Sequence, residues 1–178
     1  MKNFKEMALT RQSCRRYDPA RAVTSEQIAH VLETARLAPS ACNAQPWHIT
    51  VVSGDRAPEF AKCLQRMGMN KFTNDCPVFL VVNEEEMNRS AKVGGKLLGQ
   101  HYASYDIGIL VAHLCYAAMD EGLSTCIAGW FDEKKIKEQT GIAKNKKICL
   151  VVCLGYAADN DPQRPKQRKE LRDIVTIL

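Results

Sequence analysis

Residues 37–52 read LAPSACNAQPWHITVV. The stretch decides the fold because two periodicities meet in it. Upstream, Ile28, Val31, Leu32 and Ala35 recur at the i, i+3, i+4, i+7 spacing of an amphipathic helix, opened by a Thr24/Gln27 capping box. Pro39 ends that helix, because the residue before a proline is pushed out of helical geometry. Downstream, HITVVSG (48–54) is the apolar, β-branched run of a buried strand. Taken alone, the loop between them is a helix stop followed by a turn. Its density of Ser, Asn, Gln and Pro, just ahead of a strand, raises the question of a ligand.

Working outward, the helix–strand alternation continues. Asn3 and Glu6 cap a short helix over 3–10. Asp55 and Pro58 open a helix carrying Phe60, Leu64 and Met67, which Gly68 closes. PVFLVVN (77–83) is continuously apolar and predicts a second buried strand. Residues 84–101 have no clean period and read as a loop or lid. A long helix over 102–121 turns Ile107, Leu110, Val111, Leu114 and Ala118 inward and stops at Gly122. A third strand (123–131), a short helix from Asp132 to Gly141 and a fourth strand (146–157) follow. Then comes a polar tail and a terminal apolar IVTIL, which would pair with a sheet edge of its own chain or of a partner. The whole of 1–178 reads as one domain, α/β or α+β, around a single sheet.

Composition narrows the function. Of the 178 residues 46% are hydrophobic and 25% charged, in the range of an ordinary globular domain. No apolar run approaches the ~20 residues that span a bilayer, and the charged N-terminus has no signal-peptide core. These features predict a soluble cytoplasmic protein. The cysteines at 14, 42, 63, 76, 115, 126, 149 and 153 sit mostly in apolar segments without a CxxC pair. They read as small core residues in a reducing compartment. The histidines form no HxxxH pair and no cluster with cysteine, so no metal site is expected. Asp106, near the start of the long helix, reads as a structural hydrogen-bonding group.

The net charge of +5 gathers in RQSCRR, KNKK and RPKQRK without interleaved aromatics. That pattern argues against nucleic acid and fits one small phosphorylated ligand. KVGGKLLG lacks the first glycine of a phosphate loop and has Leu97 where Ser or Thr would hold magnesium. GxGxxG and GxSxG are absent, so neither a Rossmann site nor a nucleophile elbow is supported. Arg11 with Lys166 and Arg168, alternate residues of an extended segment, supplies charge-assisted hydrogen bonds for one phosphate. Asn43 and the loop amides suit the polar edge of a planar heterocycle.

Together RQSCRRYD, APSACNAQPWHITVV, DIGILVAHLCYAAMDEGL, TCIAGWFD and RPKQRKELRDIV closely resemble the FMN-dependent nitroreductase family. The resemblance spans nearly the whole chain. It implies the α+β nitroreductase fold, a central mixed β-sheet flanked by helices, in an intertwined homodimer with FMN at the interface. Arg11, Gln12, Ser13 and Arg15 would form the first FMN segment, with Arg11 on the phosphate and Arg15 toward the pyrimidine side of the ring. Lys166 and Arg168 would complete the phosphate site. Pro39, Ser40, Ala41 and Asn43 would be laid by the partner subunit against the same flavin. Ile127, Ala128 and Gly129 would form a turn whose backbone amide faces N5, and Lys71 a cationic position near N1 and O2. Some members carry Glu where this chain has Ala128, so only a backbone role carries over there.

The implied activity is NAD(P)H-dependent reduction of nitroaromatics, quinones or similar electrophiles, by ping-pong hydride transfer through the flavin. No side chain is assigned as catalytic acid or base, and no metal or membrane partner is implied. Alternatives are a sister activity on the same fold (reductive dehalogenation, flavin destruction or enoate reduction), a non-catalytic flavin-binding module, and a basic nucleic-acid-binding domain.

Overall fold

The computed structural model describes residues 3–178. Helix α1 (Phe4–Thr10) begins with the Asn3/Glu6 capping box and α2 (Ser25–Ala35) with that of Thr24 and Gln27. Each box satisfies backbone donors that a helix start leaves without partners. The remaining elements are β1 (Trp47–Ser53), α3 (Ala57–Ala61), β2 (Val78–Glu84), α4 (Arg89–Leu98), α5 (Tyr102–Asp120), β3 (Ser124–Ala128), α6 (Glu133–Thr140) and β4 (Ile148–Gly155). No helix among the described residues is long and apolar enough to cross a membrane.

The strands form one sheet in the order β1-β2-β4-β3. Its centre explains why β2 reads as unbroken apolar sequence. Val78, Leu80 and Val82 face α2 and α5, packing with Val31, Ile107, Leu110 and Leu114. Phe79 and Val81 face the opposite layer, where Phe60, Leu64 and Ile136 lie. Both faces are covered, so alternation of polar and apolar residues has no place there. Six cysteines (14, 63, 76, 115, 126 and 153) are buried in these two layers. Burial pushes the Cys14 and Cys63 thiols up to about 11, which keeps them protonated and unreactive.

Several expectations need correction. The sheet is antiparallel at every strand pair rather than mixed; among the described residues parallel pairing is reduced to one bridge, Ser13 to Thr125. Strand β1 is an edge, with β2 its one neighbour, and only Val52 along it is buried. Helix α2 ends at Ala35, before a turn that carries the chain to Pro39. The helix expected up to Gly68 breaks into short 3-10 turns after α3; Met67 adopts φ 57° and stays exposed. Residues 84–101 contain a helix, α4, seated through Ala91 and Gly95. Its period was hidden because small residues face inward while Val93, Leu97 and Leu98 face solvent. The terminal IVTIL forms no strand with its own chain, and its apolar side chains are exposed.

Gly155 at the end of β4 sits against Pro77 and Tyr17. A Cβ there would lie 2.7 Å from Pro77 Cδ and 2.9 Å from Tyr17 Cδ1. Gly155→Ala should therefore destabilise by about 1–3 kcal/mol through overpacking. Urea unfolding measures this, and an unshifted midpoint would contradict the close packing.

Candidate functional site

Two of the three basic segments, RQSCRR and RPKQRK, meet at the outer edge of β3, whereas KNKK lies ahead of β4 beside Glu85. After α1 the chain runs alongside that edge: Ser13 bridges Thr125, and the Cys14 amide donates to the Thr125 carbonyl at 2.9 Å. The C-terminal arm is stitched onto this segment. Gln12 Oε1 accepts from the Arg164 amide at 2.9 Å, and Gln12 Nε2 donates to the Pro162 carbonyl at 3.1 Å. Arg164 Nη2 donates to the Ser13 carbonyl at 2.6 Å, and Lys166 Nζ donates to the Arg11 carbonyl.

This stitching crowds four cations. Lys166 holds its proton less tightly than an ordinary lysine, first through lost solvent and then through the charges of Arg168, Arg11 and Arg164. Arg164 is neutralised by Asp161 at 3.0 Å. Among the described residues Arg11, Arg15, Lys166 and Arg168 have no acidic partner. Such a cluster presents positive charge that an anion would complement. A cavity of about 250 Å³ opens beside it, lined by Arg11, Gln12, Thr125 and Gln163 among others.

The edge continues past the bridge. Thr125 turns its carbonyl toward Cys14, away from β4. Backbone groups alternate along a strand, so Ile127 turns its own N–H and C=O to the same open side. Ala128 is buried and Gly129, just beyond, is exposed. Asn70 Nδ2 donates to the Trp130 carbonyl at 3.2 Å, which holds the exposed Lys71 close to this turn. Arg15 lies near enough to Cys126 on β3 to offset part of the upward shift that burial imposes on that thiol.

The loop 39–45 stands elsewhere. Both carboxylate oxygens of Asp106 accept from the Ala41 amide, at 3.1 and 3.2 Å. Ser40 Oγ accepts from the Gln45 amide at 3.0 Å. Within this frame Cys42, Asn43 and Gln45 all adopt left-handed geometry, with φ of 51°, 50° and 46°. Asn43 is exposed, and its Oδ1 accepts from Gln45 Nε2 at 3.3 Å. Asp106 lies early in α5, whereas Met119 at its far end lines the cavity beside Arg11. At 1.5 Å per residue, those positions are about 20 Å apart. One protomer thus unites Arg11, Gln12, Ser13, Lys166 and Arg168, with Arg15, Ile127, Ala128, Gly129 and Lys71 along the edge and turn of β3. It does not bring Pro39, Ser40, Ala41 and Asn43 to them.

The Nitroreductase family model matches this chain over residues 8–67 and 55–156, most of its length. The chain belongs to the nitroreductase family. The chain is 24% identical to an oxygen-insensitive NADPH nitroreductase of Helicobacter pylori, over 94% of this chain and 93% of the relative. It is 27% identical to an NADH dehydrogenase of Thermus thermophilus, over 96% and 94% of the two chains. A structure from Exiguobacterium sibiricum, solved in complex with FMN, superposes with a TM-score of 0.81 at 21% identity, covering 100% of this chain and 98% of that one. That likeness establishes the nitroreductase-like α+β fold.

Two further residues of this chain hold the site's segments in place. Arg164 continues the Arg164/Lys166/Arg168 alternation, which was the signal for it, yet it is consumed as a stitch between Asp161 and Ser13. Asn88 caps α4 and donates from Nδ2 to the Cys42 carbonyl at 2.9 Å. Nothing local in sequence announces that contact. Asp106 is the structural hydrogen-bonding group its position suggested.

Proposed function

We propose that this chain is a cytoplasmic FMN-dependent NAD(P)H oxidoreductase that reduces nitroaromatics, quinones or similar electrophiles as a homodimer. The observation that carries the reading is the cluster of Arg11, Lys166 and Arg168 without acidic partners, fixed on the open edge of β3. The names and bound cofactor of the relatives support the same reading. One phosphate cluster, with no second among the described residues, suits FMN rather than a dinucleotide flavin.

The residues fit the group. Arg11, Lys166 and Arg168 would hold its phosphate through charge-assisted hydrogen bonds. Arg15 and Lys71 would oppose negative charge developing on the pyrimidine side of the ring, while the backbone of Ile127, Ala128 and Gly129 lines its edge. FMN, when bound, supplies the two-electron centre that takes hydride from NAD(P)H and passes it to the acceptor. Gln12 acts as a strut, since its side chain is engaged by the C-terminal arm. No side chain of the cluster is assigned as acid or base.

The homodimer reading is supported by what one protomer keeps apart. Asp106, which holds the Pro39–Asn43 loop, and Met119, which lines the cavity beside Arg11, are about 20 Å apart along α5, so the loop is read as a wall for the partner's flavin. Ile174, Val175, Ile177 and Leu178 are exposed apolar residues at the end of the arm. An apolar groove of about 430 Å³ lies between Phe4, Met7, Tyr116 and Ala117. Burial of such surfaces is the main driving force for association.

The test is direct. The purified protein should be yellow, be bleached by NAD(P)H without oxygen, and regain its colour when a nitroaromatic or quinone is added. A protein that is colourless and spectrally silent on FMN addition would sink the reading. A yellow protein that NAD(P)H leaves unbleached would instead be a flavin-binding module.

A further inference from the structure

Helix α4 is tied to the loop that the proposed function places against the flavin, and the inference here rests on that reading. Asn88 makes the tie with one side chain: Oδ1 accepts from the Ala91 amide at 3.0 Å to start the helix, and Nδ2 donates to Cys42 on the loop. The helix is also fixed in rotation. A Cβ on Gly95 would lie 2.8 Å from the Gln100 carbonyl and 3.3 Å from the Tyr102 ring. Ala91 and Gly95 therefore face in, and at 100° per residue Arg89, Val93, Lys96 and Leu97 face out. Val93 and Leu97 are 67% and 83% exposed, an unusual position for an aliphatic pair four residues apart.

The nearby charges leave two cations over. Glu84 faces His101 at 3.5 Å, Glu85 pairs with Lys146, and Glu86 pairs with Lys92 at 2.9 Å. Each local acid has a partner already, and Arg89 and Lys96 have none among the described residues. Beside the flavin loop, α4 thus presents aliphatic surface flanked by two uncompensated positive charges.

We propose that this face selects the electron acceptor, favouring planar aromatic electrophiles that carry a carboxylate. Val93 and Leu97 cover the aromatic ring, Arg89 and Lys96 attract the anionic substituent, and Asn88 is the positioning residue that registers the face against the loop. Charge complementarity sets this choice of occupant. The other anionic candidate is the extra phosphate of NADPH, and the experiment separates the two.

FMN-loaded protein, reduced without oxygen by NADH, is reoxidised with 4-nitrobenzoate and with its neutral methyl ester. The wild type should show a KM about fivefold lower for the carboxylate, the size expected of exposed ion pairing. R89Q/K96Q should bring the two KM values together at undiminished flavin occupancy. Asn88→Ser, which keeps a cap acceptor but loses the donor to Cys42, should shrink the same ratio. Equal KM values in the wild type, or a ratio that survives R89Q/K96Q, would overturn the proposal. So would a variant that alters the NADPH-to-NADH preference and leaves the acceptor ratio intact. Failure to take up FMN shows earlier, in the absorbance spectrum, and removes both this inference and the function beneath it.

Discussion

Replacing Arg11 and Arg168 together by alanine should weaken FMN binding by about two to four orders of magnitude without lowering the stability of the flavin-free protein. Each guanidinium is assigned charge-assisted hydrogen bonds to the phosphate, worth about 1.5–3 kcal/mol apiece, and 1.4 kcal/mol is a factor of ten. The folded chain gains little from either side chain otherwise. Among the described residues neither has an ion pair, and Arg168 Nη1 donates only to the neighbouring Gln167 carbonyl at 2.7 Å. Both charges disfavour the protonated form of Lys166, so removing them relieves repulsion. The sign with pH follows. The folded pKa of Lys166 lies below its ordinary 10.5. In that interval the unfolded chain therefore binds more protons than the folded one, and stability rises as pH climbs toward 10.5. The double variant should flatten that rise. Calorimetric FMN titration and thermal melts at several pH values test both halves. Retained FMN affinity would refute the phosphate role, and a markedly lower Tm would show that the two arginines serve the fold.

The fold was legible wherever a single periodicity or a cap decided it. Thr24/Gln27, Asn3/Glu6 and Asp132 all cap helices as read, and the inward stripe of α5 is buried. What escaped was decided by partners distant in sequence. Strand β1 and strand β2 share an apolar sequence, but only β2 is covered on both faces; nothing within HITVV reveals which will be the edge. Helix α4 inverts the usual pattern, so a search for an apolar inward stripe passes over it. Met67 has helical spacing from Phe60 and Leu64, yet the chain turns left-handed there. The site divides the same way. Residue types and order marked Arg11, Lys166 and Arg168, because charge is visible in sequence. The stitch by Arg164 and the clasp by Asn88 depend on three-dimensional hydrogen bonding, which the sequence does not display.

The second large effect concerns the loop and reaches across the subunit boundary. Asp106→Ala leaves the Ala41 amide without its acceptor, a loss of about 1–3 kcal/mol. It also removes the anchor of a strained turn, since Cys42, Asn43 and Gln45 sit in a left-handed region that side chains other than glycine rarely occupy. The loop should relax and the protein should lose flavin, although Asp106 lies near the other end of α5 from Met119, which lines the cavity beside Arg11. Asp106→Asn keeps one acceptor and should retain most of the binding. Pairing the two defects then locates the site. When R11A/R168A and Asp106→Ala chains carry different tags and mixed dimers are isolated, one interface joins an intact cation cluster to an intact loop. The other joins two damaged halves. About half of the sites should therefore bind FMN, whereas each parent homodimer binds almost none. A site assembled within one protomer would leave the mixed dimer as empty as its parents, because each chain then carries its own defect. Flavin absorbance per mixed dimer distinguishes the outcomes, and only a loop that serves the partner's flavin restores colour.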